Sequence, residues 1–68
     1  MSDNVYSISE IVGTSPDGLD PAIRNAITRA SRTLRNLDWF EVSMIRGYIT
    51  DGEVAHFQVQ MKVGFRID

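Results

Sequence analysis

Cysteine is absent from all 68 residues of this chain, and histidine occurs once, at position 56. That combination constrains the fold more than any motif. A domain of this size buries only about 60% of the surface its unfolded chain exposes. Small domains therefore depend on a staple: disulfides, a structural metal or partner subunits. The first needs cysteine, and structural zinc needs several His or Cys ligands. Self-association is the staple that remains, so an oligomer is expected before any element is assigned.

The charge balance narrows the partners. Seven basic and nine acidic residues leave a net charge of −2, against the strongly basic balance of a dedicated nucleic-acid binder. Met1-Ser2-Asp3-Asn4 lacks the basic start and apolar run of a signal peptide. No apolar stretch approaches the roughly 18 residues of a membrane span. The expectation is a cytoplasmic protein of one domain, residues 1–68, that binds neither nucleic acid nor membrane.

Residues Val5 to Val12 read as a strand ended by Gly13. Ser15-Pro16-Asp17-Gly18 reads as a turn. A helix follows, with Asp20 as N-cap and Pro21 at the first helical position. Leu19, Ile23, Ala26, Ile27, Ala30, Leu34 and Leu37 recur at spacings of three and four, which predicts one apolar stripe and a helix end near Leu37. Arg24, Arg29, Arg32 and Arg35 fall on the opposite side with no acid among them. Such a stripe is most often a solvated face; a site for an anion, such as the phosphates of coenzyme A, is the alternative.

Trp39 to Ile49 and Val54 to Ile67 read as two strands joined at Asp51-Gly52, a strong hairpin signal. A two-residue loop there places Phe40 opposite Val63, Val42 opposite Met61 and Met44 opposite Val59. That apolar side is expected to lie under the helix. The other side pairs Trp39 with Gly64, Glu41 with Lys62, Ser43 with Gln60 and Ile45 with Gln58. The fold class is therefore α+β, with element order β-α-β-β. The sheet is three-stranded and antiparallel in order 1-3-2, packed on one helix. Its second face has nothing in the chain to cover it, and partners and ligand are expected there.

These residues also carry a family pattern. The segments Glu10-Ile-Val-Gly-Thr-Ser15, Leu37-Asp-Trp-Phe-Glu41-Val, Arg46-Gly47, Phe57-Gln58-Val and Val63-Gly-Phe-Arg66 resemble those of the bacterial dodecins, in order and over nearly the whole chain. The resemblance implies a hollow homododecamer. It implies flavins bound as stacked pairs at two-fold contacts, each pair sandwiched between tryptophans of two subunits. It further implies a glutamine on the flavin and a role in storing and protecting flavin. Trp39 and Gln58 match those two positions. Arg46 fits the type that favours FMN over riboflavin or FAD, and some members also bind coenzyme A.

Physical chemistry bears on each residue separately. An indole offers a flat face for offset stacking; a tryptophan at a strand start is otherwise often core. Gln58 can donate and accept, which suits the alternating edge of an isoalloxazine ring. In the expected register Trp39 and Gln58 share a face but lie several residues apart, at roughly 3.3 Å each. One ring cannot meet both from one chain, so the site belongs between subunits. Arg46 and Arg66 could each clamp a phosphate or form an intersubunit salt bridge. Gly13-Thr14-Ser15 lacks the Gly-Lys-Ser/Thr end of a Walker motif, and His56 has no nucleophile partner or second metal ligand. Flavin storage without catalysis is the expected function. A flavin-dependent oxidoreductase, or an oligomeric scaffold binding coenzyme A, are the alternatives. Stacked flavins have blocked faces, which disfavours hydride transfer.

Overall fold

A computed structural model describes residues 3–67, in the order β1 (Val5–Ser15), α1 (Leu19–Ala30), β2 (Leu37–Thr50) and β3 (Glu53–Ile67). The sheet order is β1-β3-β2, with β3 antiparallel to both neighbours. This is the β-α-β-β arrangement expected from the sequence. The hairpin loop is Asp51-Gly52, closed by the pair Thr50 and Glu53. Both loop residues have positive φ, 53° and 77°, the backbone that Asp-Gly adopts at small cost.

Three local expectations are corrected. β1 runs on through Gly13 to Ser15, because Gly13 is a place of close approach and not a strand end. A Cβ there would lie 2.8 Å from Cβ of Ala26 and closer still to the carbonyl oxygen of Ala22. The helix begins at Leu19, and its N-cap is Gly18, not Asp20. Gly18 has φ 148° and ψ −178°, a region open to glycine alone. The Asp20 carboxylate instead accepts from Nε of Arg24 at 3.0 and 3.1 Å, so the arginine stripe has an acid beside it after all. Finally, α1 stops at Ala30 and not near Leu37. The amide of Arg32 donates to the carbonyl of Arg29 and that of Thr33 to Ala30, tightening the chain into a turn. Arg32 and Arg35 thus lie outside the helix. Leu34 and Leu37 still pack on the core, which is why their spacing imitates a longer helix.

The core is Ala22, Val59, Met61 and Val63, all fully buried, with Ile11, Ile23, Ala26, Ile27, Leu34 and Leu37 against it. The helix packs on β1 and β3 and leaves β2 bare. The expected covering of the apolar hairpin side by the helix therefore fails for β2. Phe40, Val42 and Ile45 stay 47%, 40% and 56% exposed. The body measures 57 × 20 × 14 Å, an elongated slab with more sheet than one 12-residue helix can cover. No helix among the described residues is long and apolar enough to cross a membrane.

The hairpin register follows expectation beside the loop and from Val42 to Trp39, slips by one between them, and shifts again at Asp38, beyond which Leu37 pairs with Phe65. Trp39 pairs with Gly64, Phe40 with Val63, Glu41 with Lys62 and Val42 with Met61. Ser43 is then an extra residue on β2, and its hydroxyl donates to the carbonyl of Gln60 at 3.2 Å. Beyond it Met44 pairs with Gln60, Ile45 with Val59, Arg46 with Gln58, Gly47 with Phe57 and Tyr48 with His56. Ala55 is the extra residue on β3 that restores the register before the loop. A slip of one residue exchanges the faces of a strand. The expected pairs Met44–Val59, Ser43–Gln60 and Ile45–Gln58 are therefore replaced. Ile45 turns to the helix face, while Met44, Arg46 and Tyr48 turn to the open face.

Candidate functional site

The open face carries two clusters. The first surrounds Trp39, which is 40% exposed and lies across its partner Gly64. A Cβ at Gly64 would overlap Cζ2, Cε2 and Cη2 of the indole; only glycine lets the ring lie flat on the strand. Tyr6, one strand over and paired with Arg66, meets the indole edge-to-face with ring centroids 5.1 Å apart at 66°. Underneath and beside, the indole is therefore fixed, and its outer face is free for a stacked ring. Trp39 takes no part in the buried core, against the core reading. The glycine beneath it is legible from the hairpin loop; Tyr6 is not, because no turn in the sequence sets the register of β1 on β3.

The second cluster exists because of the two insertions that bracket it, Ala55 on β3 and Ser43 on β2. Arg46 and Gln58 are directly opposed on the open face. The Nη2 of Arg46 donates to Sδ of Met44 at 3.0 Å, a weak acceptor that a phosphate oxygen would readily replace. Between the clusters runs a polar row. Gln60 donates to the carboxylate of Glu10 at 3.0 Å, and Lys62 lies between Glu10 and Glu41 in the ladder.

Arg66 belongs to the Trp39 end of the sheet and not to the Arg46 cluster. Its amide donates to the carbonyl of Asn36 at 3.1 Å, and Nδ2 of Asn36 donates back to its carbonyl at 3.5 Å. Trp39 and Gln58 share a face but are not brought together. Gly64 and Gln58 are six positions apart on β3, about 20 Å at 3.3 Å per residue. Each chain therefore presents two separate clusters: an aromatic one at Trp39 and a hydrogen-bonding, cationic one at Arg46 and Gln58. Among the described residues no group of His, Cys, Asp and Glu side chains gathers as a metal site.

A family model described as Dodecin matches residues 5–68. The chain belongs to the dodecin family. A dodecin of Thermus thermophilus is 53% identical over 64 residues, covering 94% of this chain and 93% of its own. The structure of dodecin from Streptomyces davaonensis superposes with a TM-score of 0.95 at 63% identity, covering 98% of each chain. Dodecin from Streptomyces coelicolor gives 0.94 at 63% identity, over 100% of this chain and 97% of the other. The three-stranded sheet and single helix are thus the dodecin fold, and membership of the dodecin family supports reading the chain as a small flavin-binding protein.

The role of Gly64 can be separated from stability. Gly64→Ala should lift the indole off the strand, because the ring and not the backbone must give way. Flavin affinity should then fall by about two- to ten-fold, the worth of an aromatic stack, while the thermal midpoint moves little. A titration with FMN beside a melting curve reads both, and unchanged affinity would show that the ring does not need its glycine floor.

Proposed function

We propose that the chain stores flavin, FMN by preference, as stacked pairs held between subunits of a closed homododecamer, and damps the photochemistry of what it holds. One observation carries this reading: the two clusters share an uncovered face and lie about 20 Å apart along β3. No single ring reaches both from one chain. A second copy, related by a two-fold axis and running antiparallel, brings its Arg46 and Gln58 to the Trp39 of the first. Isologous contacts complete two such sites at once.

The residues fit a flavin by their chemistry. Trp39 over Gly64 supplies a flat, electron-rich face. Gln58 both donates and accepts. Arg46, beside it, offers a planar fork of N–H donors to a phosphate. When bound, a flavin supplies a redox-active ring; the chain's own residues bind it, orient it and cover its faces. The bare strand β2 supports the assembly half of the proposal. Phe40, Val42 and Ile45 sit half-exposed, so covering what remains of each contributes about half of the roughly 1.5–3 kcal/mol of a full burial. Sedimentation should therefore give a particle of about a dozen chains; monomers or dimers alone at micromolar concentration would overturn it.

The preference for FMN rests on Arg46. Arg46→Ala removes a charge-assisted bond worth about 1.5–3 kcal/mol, so FMN should weaken roughly ten-fold or more while riboflavin, which has no phosphate, changes little. Equal losses for the two would mean that Arg46 shapes the site without reading the phosphate. Coenzyme A remains the ligand to try at the basic residues of α1, where Arg29 borders a cleft with Asn25 and Thr14.

A further inference from the structure

One pair of rings on the open face is left over once Trp39, Gln58 and Arg46 are assigned. Tyr48 and His56 are stacked, with centroids 4.7 Å apart and planes 17° from parallel. Tyr48 is 48% exposed. The pair follows Arg46–Gln58 on the same face, two residues further toward the loop, about 7 Å along the strand. It also lies past the end of β1, whose last residue Ser15 pairs with Phe57. No third strand flanks it, so the platform is open at its side.

Resting on the flavin reading above, we infer that the Tyr48–His56 stack is a platform for the adenine of a dinucleotide flavin, which would make these two residues a determinant of FAD against FMN. A phosphate held at Arg46 leaves whatever is attached to it two rungs of the ladder from a flat aromatic surface. In FMN nothing is attached. In FAD a second phosphate and a ribose lead to adenine, a flat ring that stacks on tyrosine and on histidine alike. The imidazole and the phenol hydroxyl add hydrogen-bonding atoms at the rim of the platform. A purely structural role would be a cross-strand pair that steadies the two-stranded part of the hairpin. That role would touch all ligands equally.

The experiment compares FMN and FAD on the assembled protein, with the unsubstituted chain, Tyr48→Phe and Tyr48→Thr. Threonine keeps a strand-favouring residue in the hairpin, and FMN affinity with size-exclusion reports whether the assembly is intact. Tyr48→Thr should lose about ten-fold in FAD affinity, within the range for one base on one aromatic ring, and less than two-fold in FMN. Tyr48→Phe should keep both. Loss of FMN and FAD by the same factor, or of neither, would overturn the platform. Binding of neither flavin by the unsubstituted chain would locate the failure in the flavin reading itself, and the platform would fall with it.

Discussion

Trp39→Ala should cost the assembled protein about 2 kcal/mol or more of flavin binding, through lost stacking and lost burial, without dissolving the assembly. Trp39→Phe should bind flavin somewhat more weakly but restore much of its fluorescence in the complex. The two substitutions separate two properties of one side chain. Phenylalanine keeps a flat apolar face and is a much poorer electron donor than indole; alanine removes face and donor together. The geometry explains why the fold should tolerate both. Trp39 lies on the face away from the helix, outside the core cluster, over Gly64 and against the edge of Tyr6. Fluorescence titration with size-exclusion reads the series. Normal binding and quenching in Trp39→Ala would refute the stacking role, and collapse to monomers would make Trp39 a contact that holds the assembly together.

Gly13→Ala should act in the opposite sense, on the fold and not on the ligand. A methyl group at Gly13 meets the Ala22 carbonyl and the Ala26 side chain, parts of the helix that cannot swing aside as the end of a long side chain would. The helix must rise off β1, and the packing of Ile23, Ala26 and Ile27 on the core loosens with it. Overpacking of this kind costs about 1–3 kcal/mol, and each kcal/mol lowers the midpoint of a domain this small by about 4–8 °C. A melting curve for Gly13→Ala that matched the parent would mean the helix is not held this close. The contrast with Gly64→Ala is diagnostic: one glycine is a seat for a helix, the other for an indole.

Much of this architecture is legible in the residues because local signals agree. Asp51-Gly52 fixes the loop, the single helix fixes the chain reversal, and together they leave order β1-β3-β2. Trp39 opposite Gly64 follows from the loop alone, since the Ser43 and Ala55 insertions cancel between the two ends of the hairpin. Between them they do not cancel, and there the reading fails. Strand β2 carries apolar side chains on both faces, from Trp39 and Phe40 to Met44 and Ile45, so alternation cannot reveal a bulge. The error matters for function: the expected register put Ile45 opposite Gln58, whereas the folded chain puts Arg46 there. The helix end was obscured differently. Leu34 and Leu37 reach the core from a turn and a strand start, and periodicity registers burial and not backbone conformation. The Tyr48–His56 stack was hidden by the same pair of insertions that moved Arg46.

On the proposed function, flavin is held between copies of this chain by Trp39 of one and by Arg46 and Gln58 of another. The most direct test is a titration of the assembled protein with FMN, following flavin fluorescence to saturation. A site shared in this way should give near-complete quenching that ends at one FMN per chain, in a particle of about a dozen chains. FMN that stays fluorescent in the presence of excess protein, or that saturates isolated monomers, would contradict it.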